Sequence, residues 1–253
     1  MIRVEGLTFS YPALPPVFQD FDWEVAQGGT WAILGPSGCG KTTLLYLLAG
    51  LRRPSQGRVF VGSQPLGRPR PHTGLILQDY GLLPWATVRA NAALGLSVRN
   101  LYGADGIHAP RDYKPTTDVT SWLERLGLTA IAGQYPGQIS GGQRQRTAIA
   151  RTLALQPDLL LMDEPFASLD AITREDLQAL TLELCAEQKL TLVMVTHAID
   201  DAAALGQKIL LLGRPPNRRP LIFDNPGVGQ PGYRNSPAHQ ALCLALRQKM
   251  ETL

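Results

Sequence analysis

The segment GPSGCGKTT, from Gly35 to Thr43, constrains the fold of this 253-residue chain more than any other feature. It matches the pattern G-x-x-x-x-G-K-[ST], and it follows the short apolar run TWAIL. The run KTTLLYLLAGL comes next, which has helical length and ends at a glycine. A strand, a glycine-rich turn and a helix in that order direct backbone N–H groups and a helix N-terminus at a phosphate. The sequence therefore predicts an α/β core that binds a nucleotide.

The residues of this segment have different expected roles. Lys41 is expected to reach the β- and γ-phosphates, and the Thr42 hydroxyl to bind Mg²⁺. Cys39 is either a small residue that fits the loop or a thiol whose pKa is lowered by Lys41 and the helix N-terminus. The predicted nucleotide contacts are Gly35, Pro36, Ser37, Gly38, Cys39, Gly40, Lys41, Thr42 and Thr43.

Two adjacent acids follow the apolar run LLLM. A buried strand would place Asp163 at its carboxyl end, where the carboxylate holds Mg²⁺ directly or through water. Successive strand residues point in different directions, so Glu164 is expected to face the γ-phosphate and to polarise the attacking water as a general base.

Two more polar residues end apolar runs. Gln78 ends TGLILQ, and His197 ends LTLVMVTH. A polar residue at a strand end is ordinary, but ligands bind beyond the carboxyl ends of parallel strands. Gln78 is therefore predicted to touch Mg²⁺ or the attacking water, and His197 to hydrogen-bond the γ-phosphate.

The segment ISGGQRQRTAIA begins like a helix that holds an anion. Ser140 can cap the helix, Gly141 and Gly142 let a ligand approach the backbone, and a basic run follows Gln143. The chain thus carries a second phosphate-binding pattern for one nucleotide.

The predicted elements suggest one domain over residues 1–253. The runs MIRVEGLTFSYP and QDFDWEVAQGG read as N-terminal strands, and strands alternate with helices before and after a helical stretch. That stretch, about residues 80–151, is predicted to be an α-subdomain inserted into a parallel-sheet core. Residues 101–118 read as a surface loop, which is either a tolerated insertion or a contact with another subunit. Residues 214–253 read as a short C-terminal extension that ends in an amphipathic helix.

Composition excludes several classes of protein. The net charge of +3 is too small to predict a nucleic-acid partner. The three cysteines have no zinc-ligand spacing, and a reducing cytosol suits them. The N-terminal segment has no apolar stretch typical of a signal peptide, and no apolar run reaches the roughly 20 residues of a membrane span.

With the phosphate loop, ISGGQ, LLLMDEP, SLD and VTH in this order, the chain resembles the ATP-binding-cassette (ABC) ATPases of membrane transporters. The resemblance extends from the first strand to about Gly213, and it implies a P-loop NTPase core with an antiparallel β-subdomain. It implies that Tyr11 stacks on adenine, that Gln78 and His197 are the glutamine-loop and switch residues, and that Asp170 connects two nucleotide sites. Ile139 departs from the family's usual Leu, with little expected effect.

The same resemblance explains the second phosphate-binding pattern. ABC ATPases pair head to tail, and each ATP lies between the phosphate loop of one subunit and the SGGQ helix of the other. Ser140, Gly141, Gly142 and Gln143 would then serve the nucleotide of a second copy of this chain. ATP would close this homodimer, and loss of the γ-phosphate would open it.

The run QDYGLLPWATVRANAALGL resembles the importer ATPases of the nitrate, sulfonate and taurine group. This implies two integral-membrane permease subunits, an external substrate-binding protein, and a peripheral location on the cytoplasmic face of a bacterial inner membrane. Leu82, Leu83 and Trp85 are either contacts of the permease or parts of the local core.

Two other functions remain as alternatives. A soluble ABC ATPase that acts on nucleic acid or ribosomes commonly has two cassettes or a coiled-coil insertion, which this sequence lacks. An interaction module that binds ATP without hydrolysis is disfavoured by the presence of Lys41, Asp163, Glu164 and His197.

Overall fold

A computed structural model describes all 253 residues, which form two compact units. The first unit contains residues 1–69, 161–164 and 178–253, and the second contains residues 70–160 and 165–177. None of the helices is long and apolar enough to cross a membrane.

The first unit contains an antiparallel sheet with the strand order β2-β1-β4-β5. Hydrophobic side chains alternate with exposed ones in β1 and β2, because one face of the sheet is buried. The four strands are β1 (Ile2–Ser10), β2 (Pro16–Val25), β4 (Gln56–Val61) and β5 (Gln64–Pro65).

The first unit also contains strands of a second sheet, in the order β10-β9-β3-β8-β7. β3 pairs in parallel with both β8 and β9, and every residue of β3 and β8 is buried. Continuous apolar strands are typical of a parallel sheet covered on both faces. The strands are β3 (Thr30–Leu34), β7 (Leu159–Asp163, whose last three residues belong to this unit), β8 (Thr191–Thr196), β9 (Lys208–Leu211) and β10 (Leu221–Asp224).

Helices of the first unit follow these strands. α1 (Lys41–Leu48) comes directly after β3 and the glycine-rich turn, and α6 (Ile199–Leu205) follows β8. The C-terminal helix α7 (Pro237–Glu251) follows a single 3-10 turn at Tyr233–Asn235 and packs against α6. The amphipathic helix predicted for the C-terminal extension is therefore confirmed.

The second unit is mainly helical, and its α2 packs against α4. α5 (Ala171–Glu187) begins in this unit and ends in the first. The other elements are β6 (Thr73–Ile76), α2 (Val88–Tyr102), α3 (Thr120–Arg125), α4 (Gly141–Leu153) and 3-10 turns at Thr129–Ile131 and Pro136–Gln138.

Two predicted boundaries in the second unit were wrong. The strand TGLILQ ends at Ile76, so Gln78 lies two residues beyond it. Helix α2 continues to Tyr102, so the first two residues of the predicted loop are helical. The rest of the loop is ordered by Asp105, whose Oδ1 accepts hydrogen bonds from the backbone N–H groups of residues 107, 108 and 109.

Candidate functional site

The glycine-rich turn between β3 and α1 has the backbone shape that its sequence predicts. Gly40 precedes α1 with φ of 107°, and a Cβ there would lie 2.5 Å from Cγ1 of Val17. A Cβ on Gly35 would lie 2.6 Å from the carbonyl oxygen of Leu212. Because neither position has space for a side chain, glycine is required at both.

Lys41 folds back into this turn. Its Nζ donates hydrogen bonds to the carbonyl oxygens of Gly35 at 2.9 Å and Pro36 at 3.0 Å, and its side chain is buried. Ser37 and Gly38, by contrast, are exposed at the tip of the turn. The turn thus holds a positive charge beside exposed backbone, an arrangement suited to an anionic ligand.

Cys39 is a buried packing residue of the turn. Only 1% of it is exposed, and its Sγ would lie 2.7 Å from a Cβ on Gly35. Burial raises the pKa of the thiol, although the nearby Lys41 charge opposes this effect. The structure therefore favours a small residue that fits the loop over an activated thiol.

Asn217 lies in a distant part of the chain and holds the turn in place, a role that no sequence motif predicts. Its Nδ2 donates a hydrogen bond to the carbonyl oxygen of Cys39 at 2.8 Å, and its Oδ1 accepts one from the N–H of Gly213 at 3.1 Å. Asn217 is 7% exposed. No local signal identified it, because it lies in the loop-like run RPPNRR.

Thr42 and Asp163 meet at the carboxyl ends of β3 and β7. The Thr42 hydroxyl donates to Oδ1 of Asp163 at 3.2 Å. Burial raises the pKa of Asp163, and the charge of Glu164 adds to the increase, while the Thr42 hydrogen bond and Lys41 oppose it. The buried carboxylate is therefore a site at which a cation would be stabilised.

Glu164 and His197 form a second polar pair in the first unit. Oε2 of Glu164 lies 3.1 Å from Nδ1 of His197, and the side chains are 19% and 58% exposed. Glu164 has φ of 45°, a strained value for a non-glycine residue, and its N–H donates to the carbonyl oxygen of Val195 at 2.9 Å. Such strain is often found at functional sites.

Tyr11 also lies beside the phosphate turn. Its hydroxyl is 3.0 Å from Oγ1 of Thr43, and its ring packs edge-on against Phe9. The guanidinium of Arg52 lies 5.4 Å from the centre of the Tyr11 ring. The ring is therefore held next to the first turn of α1.

The first unit thus brings together Tyr11, Lys41, Thr42, Asp163, Glu164 and His197. The other predicted site residues, Gln78, Ser140 to Gln143 and Asp170, belong to the second unit.

In the second unit, Ser140 caps α4 as its sequence predicts. The Ser140 hydroxyl accepts from the N–H of Gln143 at 3.2 Å, and the Gln143 side chain accepts from the N–H of Ser140 at 2.9 Å. Gly142 packs against the side chain of Thr173, and a Cβ at position 142 would lie 2.5 Å from Cγ2 of Thr173. Ser140 itself is exposed, so the first turn of α4 is accessible to a ligand.

The basic run of α4 has a structural role that the anion pattern did not predict. Arg144 donates to the carbonyl oxygen of Ile139 at 2.8 Å. Arg151 donates to the carbonyl oxygens of Tyr80 and Gly81, both at 2.6 Å. These arginines therefore hold the loops around the helix.

Asp170 caps the next helix. Its Oδ1 accepts from the N–H of Thr173 at 3.0 Å, and this hydrogen bond lowers the pKa of the carboxyl. Two residues earlier, the Ser168 hydroxyl lies 2.7 Å from the hydroxyl of the buried Tyr80. The loop that follows exposed Gln78 is therefore joined to the loop that contains Asp170.

Asn91 shapes the LLPW loop. It is fully buried, its Oδ1 accepts from the N–H of Leu83 at 2.8 Å, and its Nδ2 donates to the carbonyl oxygens of Leu83 and Ala86. Trp85, between these anchors, is 74% exposed. Leu82 and Leu83 are half-buried, whereas Pro84 and Trp85 are exposed, so Trp85 is the large hydrophobic side chain of this loop that lies outside the local core.

Relatives of this chain are ATP-binding proteins of importers. The chain is 41% identical over 202 residues to the taurine import ATP-binding protein TauB of Pseudomonas aeruginosa, covering 80% of this chain and 73% of that protein. It is 34% identical over 235 residues to the aliphatic sulfonates import ATP-binding protein SsuB of Bacillus cereus, covering 93% and 88%. It is 39% identical over 216 residues to the nitrate import ATP-binding protein NrtD of Synechococcus elongatus, covering 83% and 75%.

A solved structure of a dimeric bacterial ABC transporter cassette has the same fold. It superposes with a TM-score of 0.74 and 27% identity, covering 88% of this chain and 98% of that one. Residues 18–167 also match the ABC transporter family. The ordered motifs, the geometry of the phosphate turn and these comparisons together show that the chain belongs to the ABC transporter family, as an ATP-binding subunit with ATPase activity.

Proposed function

We propose that this ATPase energises a bacterial importer of a small anion or organic solute. The cargoes named for the three relatives described above are taurine, aliphatic sulfonates and nitrate. The observation that carries the hydrolytic part of the proposal is the cluster of Lys41, Thr42, Asp163, Glu164 and His197 in one unit, since a chain that only binds ATP has no need of a base and its partner. The similarity to import ATP-binding proteins supports the transport part. We further propose that both units form one ABC ATPase domain over residues 1–253.

The phosphates of ATP would lie against the backbone of residues 35–43 and the Lys41 ammonium. The exposed Thr42 hydroxyl and the buried Asp163 carboxylate are oxygen donors 3.2 Å apart, and they fit Mg²⁺, which takes few protein ligands. When bound, Mg²⁺ would neutralise charge on the β- and γ-phosphates. Gln78 would contact this ion or the attacking water.

In this proposal Glu164 removes the proton from the attacking water, and His197 orients Glu164 and hydrogen-bonds the γ-phosphate. The 3.1 Å contact between the two side chains supports this division of roles. Lys41 would stabilise negative charge on the γ-phosphate as the bond to the β-phosphate breaks. Tyr11 would stack on adenine.

We propose that two copies pair head to tail, as an exposed, capped α4 N-terminus suits a γ-phosphate supplied by another molecule. Ser140, Gly141, Gly142 and Gln143 would bind the ATP of the partner subunit, and Asp170 would connect the two sites. The dimeric cassette of similar fold supports the pairing of two copies.

We propose that the LLPW loop contacts an integral-membrane permease subunit, two of which would hold the dimer at the cytoplasmic face of the inner membrane. The 74% exposure of Trp85 excludes tight local packing and leaves its ring available for contact with a partner. An external binding protein would deliver the substrate to the permease.

The test is ATP hydrolysis by purified protein with Mg²⁺, compared with Lys41→Ala and with Lys249→Ala as a control at an exposed lysine. We expect Lys41→Ala to abolish phosphate release and Lys249→Ala to leave it unchanged. Wild-type protein that binds ATP without releasing phosphate would instead indicate an interaction module. Stimulation by RNA but not by the reconstituted permease would indicate the nucleic-acid function.

A further inference from the structure

We propose that Arg234, in the C-terminal segment, is a positioning residue for ATP hydrolysis. It acts through Gln178, Asp201 and Thr196 on His197, and the inference rests on the role of His197 proposed above. All five residues belong to the first unit.

The outer part of this hydrogen-bond chain joins three elements. A guanidinium nitrogen of Arg234, in the 3-10 turn before α7, donates to Oε1 of Gln178 in α5. Nε2 of Gln178 then donates to Oδ1 of Asp201 in α6 at 2.7 Å. The positive charge of Arg234 is thereby connected to a buried carboxylate through one amide.

The inner part of the chain surrounds His197. Thr196 Oγ1 donates to Oδ2 of Asp201 at 3.3 Å, and it accepts from the N–H of Ala198 at 3.0 Å. The residues immediately before and after His197 are thus fixed by one hydroxyl, which is itself oriented by Asp201. The His197 side chain is 58% exposed, so its orientation depends on this backbone and on the contact with Glu164 more than on packing.

The hydrogen-bond chain is buried where it approaches His197. Gln178, Asp201 and Thr196 are 3%, 4% and 2% exposed, and buried polar groups are costly unless each is paired. Removal of Arg234 leaves Oε1 of Gln178 without this donor, and the amide can then rotate away from Asp201.

The turn that carries Arg234 is itself held against α6. The hydroxyl of the adjacent Tyr233 donates to Oδ1 of Asn225, which is 1% exposed. Nδ2 of Asn225 donates to the carbonyl oxygens of Ala203 and Gly206, both at 2.8 Å, at the end of α6. Arg234 is therefore presented from a fixed support.

A role in stability alone predicts a different result from a role in positioning. A positioning residue affects the reaction of bound ATP, because His197 is proposed to act on the γ-phosphate. It leaves the binding of ATP to the phosphate turn unchanged, so kcat and the Kd for ATP separate.

The experiment compares Arg234→Ala, Arg234→Lys, Thr196→Val and the double variant Arg234→Ala/Thr196→Val. The control is Arg247→Ala, at an exposed arginine of α7. We expect Arg234→Ala to lower kcat by about tenfold with an unchanged Kd for ATP, since small misplacement of a catalytic group is costly. Arg234→Lys should restore part of this loss, and Arg247→Ala should match wild type. Because Arg234→Ala and Thr196→Val both act through the same hydrogen-bond chain, the double variant should be no slower than Thr196→Val alone.

A second readout is the side-chain NMR signal of His197, assigned by its loss in His197→Ala; the chain has only four histidines. Arg234→Ala should shift this signal, and Arg247→Ala should leave it in place. A wild-type kcat and an unshifted signal in folded Arg234→Ala would overturn the inference. If wild-type protein does not hydrolyse ATP, the proposed function fails, while the NMR signal still tests the connection from Arg234 to His197.

Discussion

The Glu164 carboxylate and the His197 imidazole lie 3.1 Å apart, between Oε2 and Nδ1, at the carboxyl ends of two strands of one sheet. A contact of this length orients the carboxylate before any ligand binds. Because glutamine has nearly the shape of glutamate, the Glu164 carboxylate can be removed with little change of shape at this contact.

Glu164→Gln should lower the rate of phosphate release by about 10²- to 10⁴-fold, because an amide cannot accept the proton of the attacking water. ATP binding should persist, so the closed dimer should accumulate. Phosphate release and size-exclusion chromatography with ATP measure the two effects. Turnover at the wild-type rate would remove Glu164 as the base.

Asp163→Asn should stabilise the nucleotide-free protein at neutral pH while abolishing Mg²⁺-dependent hydrolysis. Burial raises the pKa of Asp163 in the folded state, so the wild-type protein loses stability as pH rises through that pKa. The neutral amide has no such loss. The difference in Tm should therefore be largest near neutral pH and should disappear toward about pH 4 or below, where an unfolded Asp is also protonated. A difference in Tm that widens on acidification would contradict a raised pKa of Asp163 in the folded protein.

Ser140→Arg should leave ATP binding by the monomer intact and abolish dimerisation driven by ATP. The arginine would block the N-terminus of α4, but the phosphate turn belongs to a different unit. Loss of a capping serine also costs about 1 kcal/mol of stability. Ser236→Ala removes the equivalent cap of α7 and is the matched control. Analytical ultracentrifugation with ATP in the Glu164→Gln background measures the dimer. Loss of ATP binding by the Ser140→Arg monomer would instead indicate that the α4 N-terminus binds the nucleotide of its own chain.

Trp85→Ala should weaken binding to the permease by about thirtyfold, as expected for a buried aromatic anchor at an interface. The ATPase activity of the isolated subunit should stay within about twofold of wild type, since Asn91 keeps the loop in place. Leu101→Ala, at a residue that is 80% exposed outside the loop, is the control. Co-purification with the integral-membrane permease subunits measures binding, and an equal effect of both substitutions would argue against a specific role of Trp85.

The phosphate turn and the buried strands could be predicted because their signals are local. GPSGCGKTT requires its glycines for reasons of backbone shape, and TWAIL and LTLVMVT are continuous apolar runs typical of a parallel sheet. The cap of α4 by Ser140 is likewise a local signal, because it involves only residues 140–143. Local pattern was less reliable at element ends, where TGLILQ stopped short of Gln78.

The supporting residues could not be predicted because their partners are far away in sequence. Asn217 contacts a carbonyl 178 residues earlier, and Arg234 contacts a side chain 56 residues earlier. Neither residue belongs to a motif. Arg151 of α4 was misjudged for a related reason, since the carbonyl groups that it binds, those of Tyr80 and Gly81, lie 71 and 70 residues earlier.

The contact between Asn217 and the phosphate turn has a consequence for the order of folding. The turn is encoded early in the chain, but one of its carbonyl groups is bound by a residue that is synthesised 178 residues later. Contacts so distant in sequence form late, because the intervening chain must first lose conformational entropy. During synthesis, the nucleotide pocket therefore reaches its final shape only after residue 217 has left the ribosome.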